Sequence, residues 1–133
     1  MILVDTNVLV DIVSDDPLWA EWSQRHLTLA AAEDQLAIND IVYAELSIRF
    51  ATIEELDAMI RDAHLVSAAI PRLALFLAGK AFQRYRYAGG VKTGVLPDFF
   101  IGAHAVISAS TLITRDAARY RTYFPGIMLI APN

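Results

Sequence analysis

MILVDTNVLVD, residues 1–11, starts with an apolar triplet, Ile2, Leu3 and Val4, that runs straight into a carboxylate, Asp5. The triplet reads as a short buried strand. Short apolar runs recur downstream at LAIN (36–39), HLVSA (64–68), TLIT (111–114) and IMLIA (127–131). Longer helical stretches separate them. Residues 7–14 suit a short helix. Pro17 suits the first turn of a second helix running to about Asp34. Asp40 can cap a third through about Phe50. Thr52 and Glu55 make a capping box that opens IEELDAMIRDA. Pro71 opens a long helix to about Tyr87, and AGGVKTG (88–94) reads as a flexible loop. Pro97 and Asp98 open a helix to about Ser108, and Asp116 opens a short one. Strand–helix alternation of this kind predicts a parallel sheet covered on both faces, with nearly all-apolar strands. Right-handed crossovers put every strand's C-terminal end on one edge, which is where such sheets bind ligands.

Composition narrows the class. The 133 residues suit one domain with one core. The hydrophobic fraction is 56% and the mean hydropathy +0.40. No apolar run approaches the roughly 18 residues of a spanning helix, and no export signal is visible. There is no cysteine, hence no disulfide framework and no thiolate site. The expectation is a soluble cytoplasmic domain with apolar surplus for a partner interface. The net charge of −4 conceals an asymmetry. Residues 1–62 carry thirteen acids and three bases, residues 63–133 two acids and eight bases. Those two acids, Asp98 and Asp116, stand alone in a basic half.

Asp5 ends the first strand, and Asp116 follows the fourth after Thr114 and Arg115. Both emerge on the same edge. Asp98 begins the helix that leads into the fourth strand. Glu45 lies in the helix after the second, on a face shared with Ile41, Ala44 and Ile48 by three-four spacing. Each has an ordinary structural explanation. The aspartates stand at helix starts, where aspartate is a common cap. Glu45 can pair with Arg49 at i+4. Four carboxylates converging on one sheet edge repel one another, however, and a hard divalent cation such as Mg²⁺ or Mn²⁺ removes that repulsion. His26, His64 and His104 are scattered and speak against zinc. His104 reads as a satisfied packing histidine. A carboxylate-held cation that keeps several waters suits phosphodiester chemistry.

The basic half offers a counterpart. Ala63 through Pro97 contains no acid, and KAFQRYRYAGGVK (80–92) interleaves Lys80, Arg84, Arg86 and Lys92 with Tyr85 and Tyr87. Cations beside aromatics suit a phosphate backbone with stacked bases. A solvated helix face with core tyrosines accounts for the pattern equally well.

With these stretches in view, the sequence resembles the PIN-domain family, in particular the VapC-type toxin ribonucleases of bacterial toxin–antitoxin pairs. ILVDTNVLVD, IVYAELS around Glu45, LPDFFIGAHA around Asp98 and LITRDAARYRTYFPGIMLIAP carry the resemblance, in family order over nearly the whole chain. It implies one PIN domain over 1–133. The implied fold is a three-layer α/β/α sandwich around a five-stranded parallel sheet of order 3-2-1-4-5. The implied metal-binding quartet is Asp5, Glu45, Asp98 and Asp116, flanked by the supporting residues Thr6, Asn7 and Thr114. Lys80, Arg84 and Arg86 are weaker candidates for RNA contacts. The implied activity is Mg²⁺- or Mn²⁺-dependent endoribonuclease, leaving a 5′-phosphate and a 3′-hydroxyl. The implied partners are a small antitoxin, an RNA substrate and a second copy of the chain. Trp19 and Trp22 suit either such an interface or the core.

Two rivals are weaker. VDTNVLVD loosely resembles the strand-end motif of haloacid-dehalogenase-type phosphatases, but Asn7 stands where the second aspartate belongs. A receiver domain needs an aspartate after the third strand, and HLVSA has none. A module that binds RNA or protein without cleaving is the non-enzymatic alternative.

Overall fold

The computed structural model describes residues 1–91 and 94–133. The apolar runs form β1 (Ile2–Val4), β2 (Leu36–Ile38), β3 (Val66–Ser67), β4 (Thr111–Ile113) and β5 (Leu129–Ile130). They pair in parallel in the order β3-β2-β1-β4-β5. All residues of β1 and β2 are buried. Because side chains alternate between faces, burial of every residue means that both faces are covered. The cover comes from α1 (Thr6–Val13), α2 (Ala20–Glu33), α3 (Asp40–Ser47), α4 (Ile53–Asp62), α5 (Arg72–Tyr87), α6 (Leu96–Ile107) and α7 (Ala118–Tyr123). No helix among the described residues is long and apolar enough to cross a membrane.

The strands are shorter than their apolar runs because the run ends serve as caps. His64 adopts φ 56°, and Leu65 N donates to Ile60 O at 3.1 Å, which closes α4 in a Schellman-type turn. HLVSA therefore yields only Val66 and Ser67 to the sheet. The same device, a left-handed residue followed by a backbone bond five residues back, ends α1 at Asp15, α5 at Gly89 and α6 at Ala109.

Several helix starts differ from expectation. Asp16 Oδ1 accepts from Leu18 N and Trp19 N, both at 2.9 Å, so residues 17–19 form a capped turn and α2 begins at Ala20 rather than Pro17. Asn39, not Asp40, caps α3, its Oδ1 accepting from Val42 N at 3.0 Å. That helix stops at Ser47. It buries Val42 and Leu46, so Ile48 is exposed and Glu45 sits at the border of the buried face rather than within it. Thr52 caps α4 as expected, accepting from Glu55 N at 3.2 Å. Asp116 precedes α7 without capping it. Lys92 and Thr93 of the expected AGGVKTG loop lie outside the described residues.

Helices α6 and α7 approach closely over Gly102, where a Cβ would stand 2.5 Å from the Phe124 ring. Phe99 of α6 packs among Phe82, Tyr85, Tyr123 and Phe124. This aromatic cluster seats α5 and α7 against α6, and so places the two helices that carry Asp98 and Tyr120.

Candidate functional site

β1 and β4 pair with Val4 opposite Ile113, so both chains leave the sheet side by side. Asp5 N donates to Ile113 O at 2.9 Å, and Asp5 is buried where the two strands end. Its carboxylate is held by several donors. Oδ1 accepts from Thr6 N at 2.8 Å, the expected cap of α1. Oδ2 accepts from Thr114 Oγ1 at 2.8 Å and from Tyr120 Oη at 2.9 Å. Asn7 Nδ2 lies 3.4 Å from both Asp5 Oδ2 and Thr114 Oγ1. Thr114 also accepts from Asp116 N at 3.1 Å, so one hydroxyl links the residue after β1 to the turn after β4.

The other carboxylates surround this point. Glu45 Oε1 accepts from Thr6 Oγ1 at 2.6 Å, and no ion pair joins it to Arg49 among the described residues. Asp98 stands in the first turn of α6, and its Oδ2 accepts from Arg119 Nη1 at 2.5 Å. Asp116 is exposed at the rim.

Electrostatics tie the four together. Burial first, and the Asp98 charge second, push the Asp5 carboxyl from 3.8 up to about 7, against the pull of its hydrogen bonds. Burial also raises Asp98. Arg119 opposes that rise, while Glu45 and Asp116 add to it. Tyr120 is held well above its ordinary value by burial and by the charges of Asp5, Asp98 and Glu45. Asp5, Glu45, Asp98 and Asp116 thus share one electrostatic neighbourhood. Its donors are hard oxygens, which fit Mg²⁺ or Mn²⁺ in kind. Among the described residues, no three acidic or histidine side chains stand ready to enclose an ion as they are. Three of the carboxylates are already engaged, Asp5 by Thr6, Thr114 and Tyr120, Asp98 by Arg119 and Glu45 by Thr6.

Sequence reasoning missed four residues here. Tyr120 and Arg119 are adjacent on α7 and each binds an acid of the set. Asp11, buried in α1, receives a two-pronged ion pair from Arg115, Nε to Oδ2 at 2.7 Å and Nη2 to Oδ1 at 3.0 Å. Ser23 Oγ of α2 adds a third bond to Asp11 at 2.9 Å, and the Arg115 guanidinium lies 5.5 Å from the Trp19 ring. This clamp locks the loop between Thr114 and Asp116 onto α1 and α2. The available signal was the three-residue step from Val8, which puts Asp11 on the buried side of α1.

His104 is buried and bonded to Asn39 at 3.1 Å between side chains. That contact joins the cap of α3 to α6. Trp19 and Trp22 are half-buried and meet edge to face. Lys80, Arg84 and Arg86 lie exposed on α5, and Tyr87 is exposed beside them. Tyr85 instead packs into the aromatic cluster, so that part of the basic–aromatic pattern is core. A cavity of about 670 Å³ lies elsewhere, between α1, α2 and α4, lined by Leu9, Ile12, Leu27 and Met59 with Glu55 and Asp62 among its polar residues.

Comparison with known proteins is consistent with this geometry. The PIN domain profile matches residues 2–125. Among solved structures, the chain is similar to one in VapBC2 from Rickettsia felis bound to a promoter DNA fragment, at 22% identity and TM-score 0.74, covering 100% of both chains. It is similar to a chain of a toxin–antitoxin complex from Klebsiella pneumoniae at 25% identity and TM-score 0.68, covering 100% of this chain and 98% of that one. It is similar to a chain of VapBC-1 from nontypeable Haemophilus influenzae at 18% identity and TM-score 0.73, covering 98% of each. No curated protein matches it.

Proposed function

The chain belongs to the PIN domain family, and from that premise we propose that it is a Mg²⁺- or Mn²⁺-dependent endoribonuclease, the toxin of a toxin–antitoxin pair. The observation that carries the reading is the shared electrostatic neighbourhood of Asp5, Glu45, Asp98 and Asp116 at the C-terminal edge of β1 and β4. Burial first, and the Asp98 charge second, hold the Asp5 carboxyl near 7, and a cation placed among these acids would relieve both.

Asp5, Asp98 and Asp116 would hold the cation, with Glu45 binding directly or through water. When bound, it supplies charge neutralisation on the phosphodiester and a water of lowered pKa. The chain's own residues do the rest. Thr114, Tyr120 and Thr6 fix the Asp5 carboxylate, so no reorientation is needed at the moment of reaction. Thr6 holds Glu45 through one oxygen and leaves the other to the site. A carboxylate of the set accepts the proton of the attacking water. The water oxygen bonds to phosphorus, the bond to the 3′-oxygen breaks, and a proton ends on that oxygen. Lys80, Arg84 and Arg86 would bind the RNA backbone away from the cut.

For the antitoxin partner we propose a second surface. The cavity between α1, α2 and α4 combines an apolar floor with Glu55 and Asp62. That combination suits an amphipathic helix with cationic flanks. Nothing in the site favours a phosphatase, because position 7 is an amide hydrogen-bonded into the Asp5–Thr114 pair.

The decisive experiment is sequencing of RNA 5′ ends after brief expression of the parent and of Asp98→Asn. Discrete new ends in the parent alone are expected. Identical ends in both, or none in the parent, would overturn the proposal.

A further inference from the structure

Arg119 is the one basic side chain paired with the acidic set among the described residues. The other arginine near that edge, Arg115, is committed to Asp11 by both prongs. Arg119 and Asp98 are each partly exposed, at 25% and 30% of their side chains, so the pair stands at the mouth of the site rather than sealed in the core. Arg119 precedes Tyr120, which is buried and bonded to Asp5. α7 is therefore anchored through Tyr120 and, at its C-terminal end, Phe124, both buried, while the neighbouring Arg119 side chain is partly exposed.

We infer that Arg119 is an internal counter-ion of the acid cluster, and that a divalent cation must displace it from Asp98 in order to load. The inference rests on the metal reading above and adds its regulation. Asp98 faces the charges of Glu45 and Asp116, and Asp5 faces that of Asp98. A guanidinium at 2.5 Å from Asp98 Oδ2 occupies the oxygen that a cation on that side would use. Two cations on one carboxylate oxygen repel each other at such short range. Loading is thus an exchange: the divalent ion takes the carboxylate, and the arginine turns out to water. The chain's own cation lowers its apparent metal affinity and neutralises the cluster when no metal is loaded. Losing one charge-assisted bond accounts for about a tenfold change in affinity.

The test is Mn²⁺ binding without RNA, read from the free Mn²⁺ signal in electron paramagnetic resonance, on the parent, Arg119→Gln and Arg119→Lys. A purely structural role for Arg119 weakens Mn²⁺ binding or leaves it unchanged on substitution; the exchange strengthens it. Arg119→Gln is expected to bind Mn²⁺ about tenfold more tightly, and Arg119→Lys, which keeps the charge, to stay close to the parent. With Asp98→Asn in either background, the difference between arginine and glutamine at position 119 disappears. In thermal melts, Mn²⁺ is expected to stabilise Arg119→Gln more than the parent, which also verifies that the variant is folded. Equal or weaker Mn²⁺ binding by folded Arg119→Gln overturns the inference and leaves the metal site standing. Absence of Mn²⁺ binding in every variant overturns both.

Discussion

The Tyr120 hydroxyl donates to Asp5 Oδ2 at 2.9 Å across 115 residues of sequence. It joins Thr114 on the same oxygen, while Thr6 N holds the other. The first acid of the site is thus oriented by the helix that follows the fourth strand. Tyr120→Phe removes one donor from a buried carboxylate without opening a cavity. It is expected to cost about 1–2 kcal/mol, roughly 4–8 °C in Tm, and to slow RNA cleavage several-fold. Calorimetry and a cleavage time course check both. An unchanged Tm would mean that the bond contributes nothing.

Stability should depend on pH through Asp5. Its folded pKa, about 7, lies above the ordinary 3.8. A carboxyl raised in the folded state favours folding fully below the unfolded pKa, and that contribution is lost as pH rises through 7. Asp98 is shifted in the same direction. In EDTA the Tm should therefore fall between about pH 4 and 7 and level off above, and Mn²⁺ should restore it at the alkaline end. Asp5→Asn keeps the shape, removes the charge, flattens the slope in EDTA and abolishes RNA cleavage. If the slope in EDTA persists in Asp5→Asn, another group causes it.

The centre of the sheet was legible because β1 and β2 are buried on both faces and therefore read as unbroken apolar runs, each bounded by a cap or turn. The four acids drew notice for a different reason. Asp98 and Asp116 lack acidic neighbours in their half of the chain, and Asp5 follows the central strand directly. What stayed hidden depends on three-dimensional pairing. Tyr120 looks like an ordinary core aromatic until the β1–β4 pairing brings it to Asp5. Arg119 reads as one of several surface cations in ARYRTY, and only the approach of α7 to α6 singles it out. The Glu45 face was misassigned because α3 ends at Ser47, which turns the buried stripe onto Val42 and Leu46.

The Asp11–Arg115 clamp should hold the loop that carries Asp116. Asp11 is 1% exposed, so Arg115→Ala leaves a buried carboxylate with Ser23 as its remaining side-chain partner. The expected cost is about 3 kcal/mol, measured by urea unfolding. Arg115→Lys should rescue poorly, because one ammonium cannot reproduce both prongs. Adding Asp11→Asn to Arg115→Ala should recover part of the loss by removing the stranded charge. Additive losses in the double variant would count against the pair.

RNA association should depend on the exposed cations of α5. Lys80, Arg84 and Arg86 make no ion pair among the described residues, so each is available to a phosphate. Changing all three to Ala should weaken RNA binding and lower the slope of log K against log salt by about 2. The fold should be unaffected, since none of the three is buried. An unchanged salt slope would place the RNA path elsewhere on the protein.

Gly102 connects core packing to the site. A Cβ there would meet the Phe124 ring at 2.5 and 2.6 Å and Tyr120 Cδ1 at 3.0 Å. Both rings are nearly fully buried and wedged against α6, so neither can swing aside cheaply. Gly102→Ala is therefore expected to push α7 outward rather than simply fill space. Overpacking of this kind costs about 1–3 kcal/mol, more than the helix-propensity gain of about 1 kcal/mol from Gly to Ala. The displacement acts first on Tyr120, whose hydroxyl holds Asp5, and on the neighbouring Arg119, which holds Asp98. Cleavage should thus fall by more than the loss of folded fraction explains, even at a temperature where the variant is fully folded. Combining Gly102→Ala with Phe124→Leu, which trims the obstructing ring, should restore part of the activity. If Gly102→Ala stabilises the protein and leaves cleavage unchanged, α7 yields freely, and its rigidity does not position the acids.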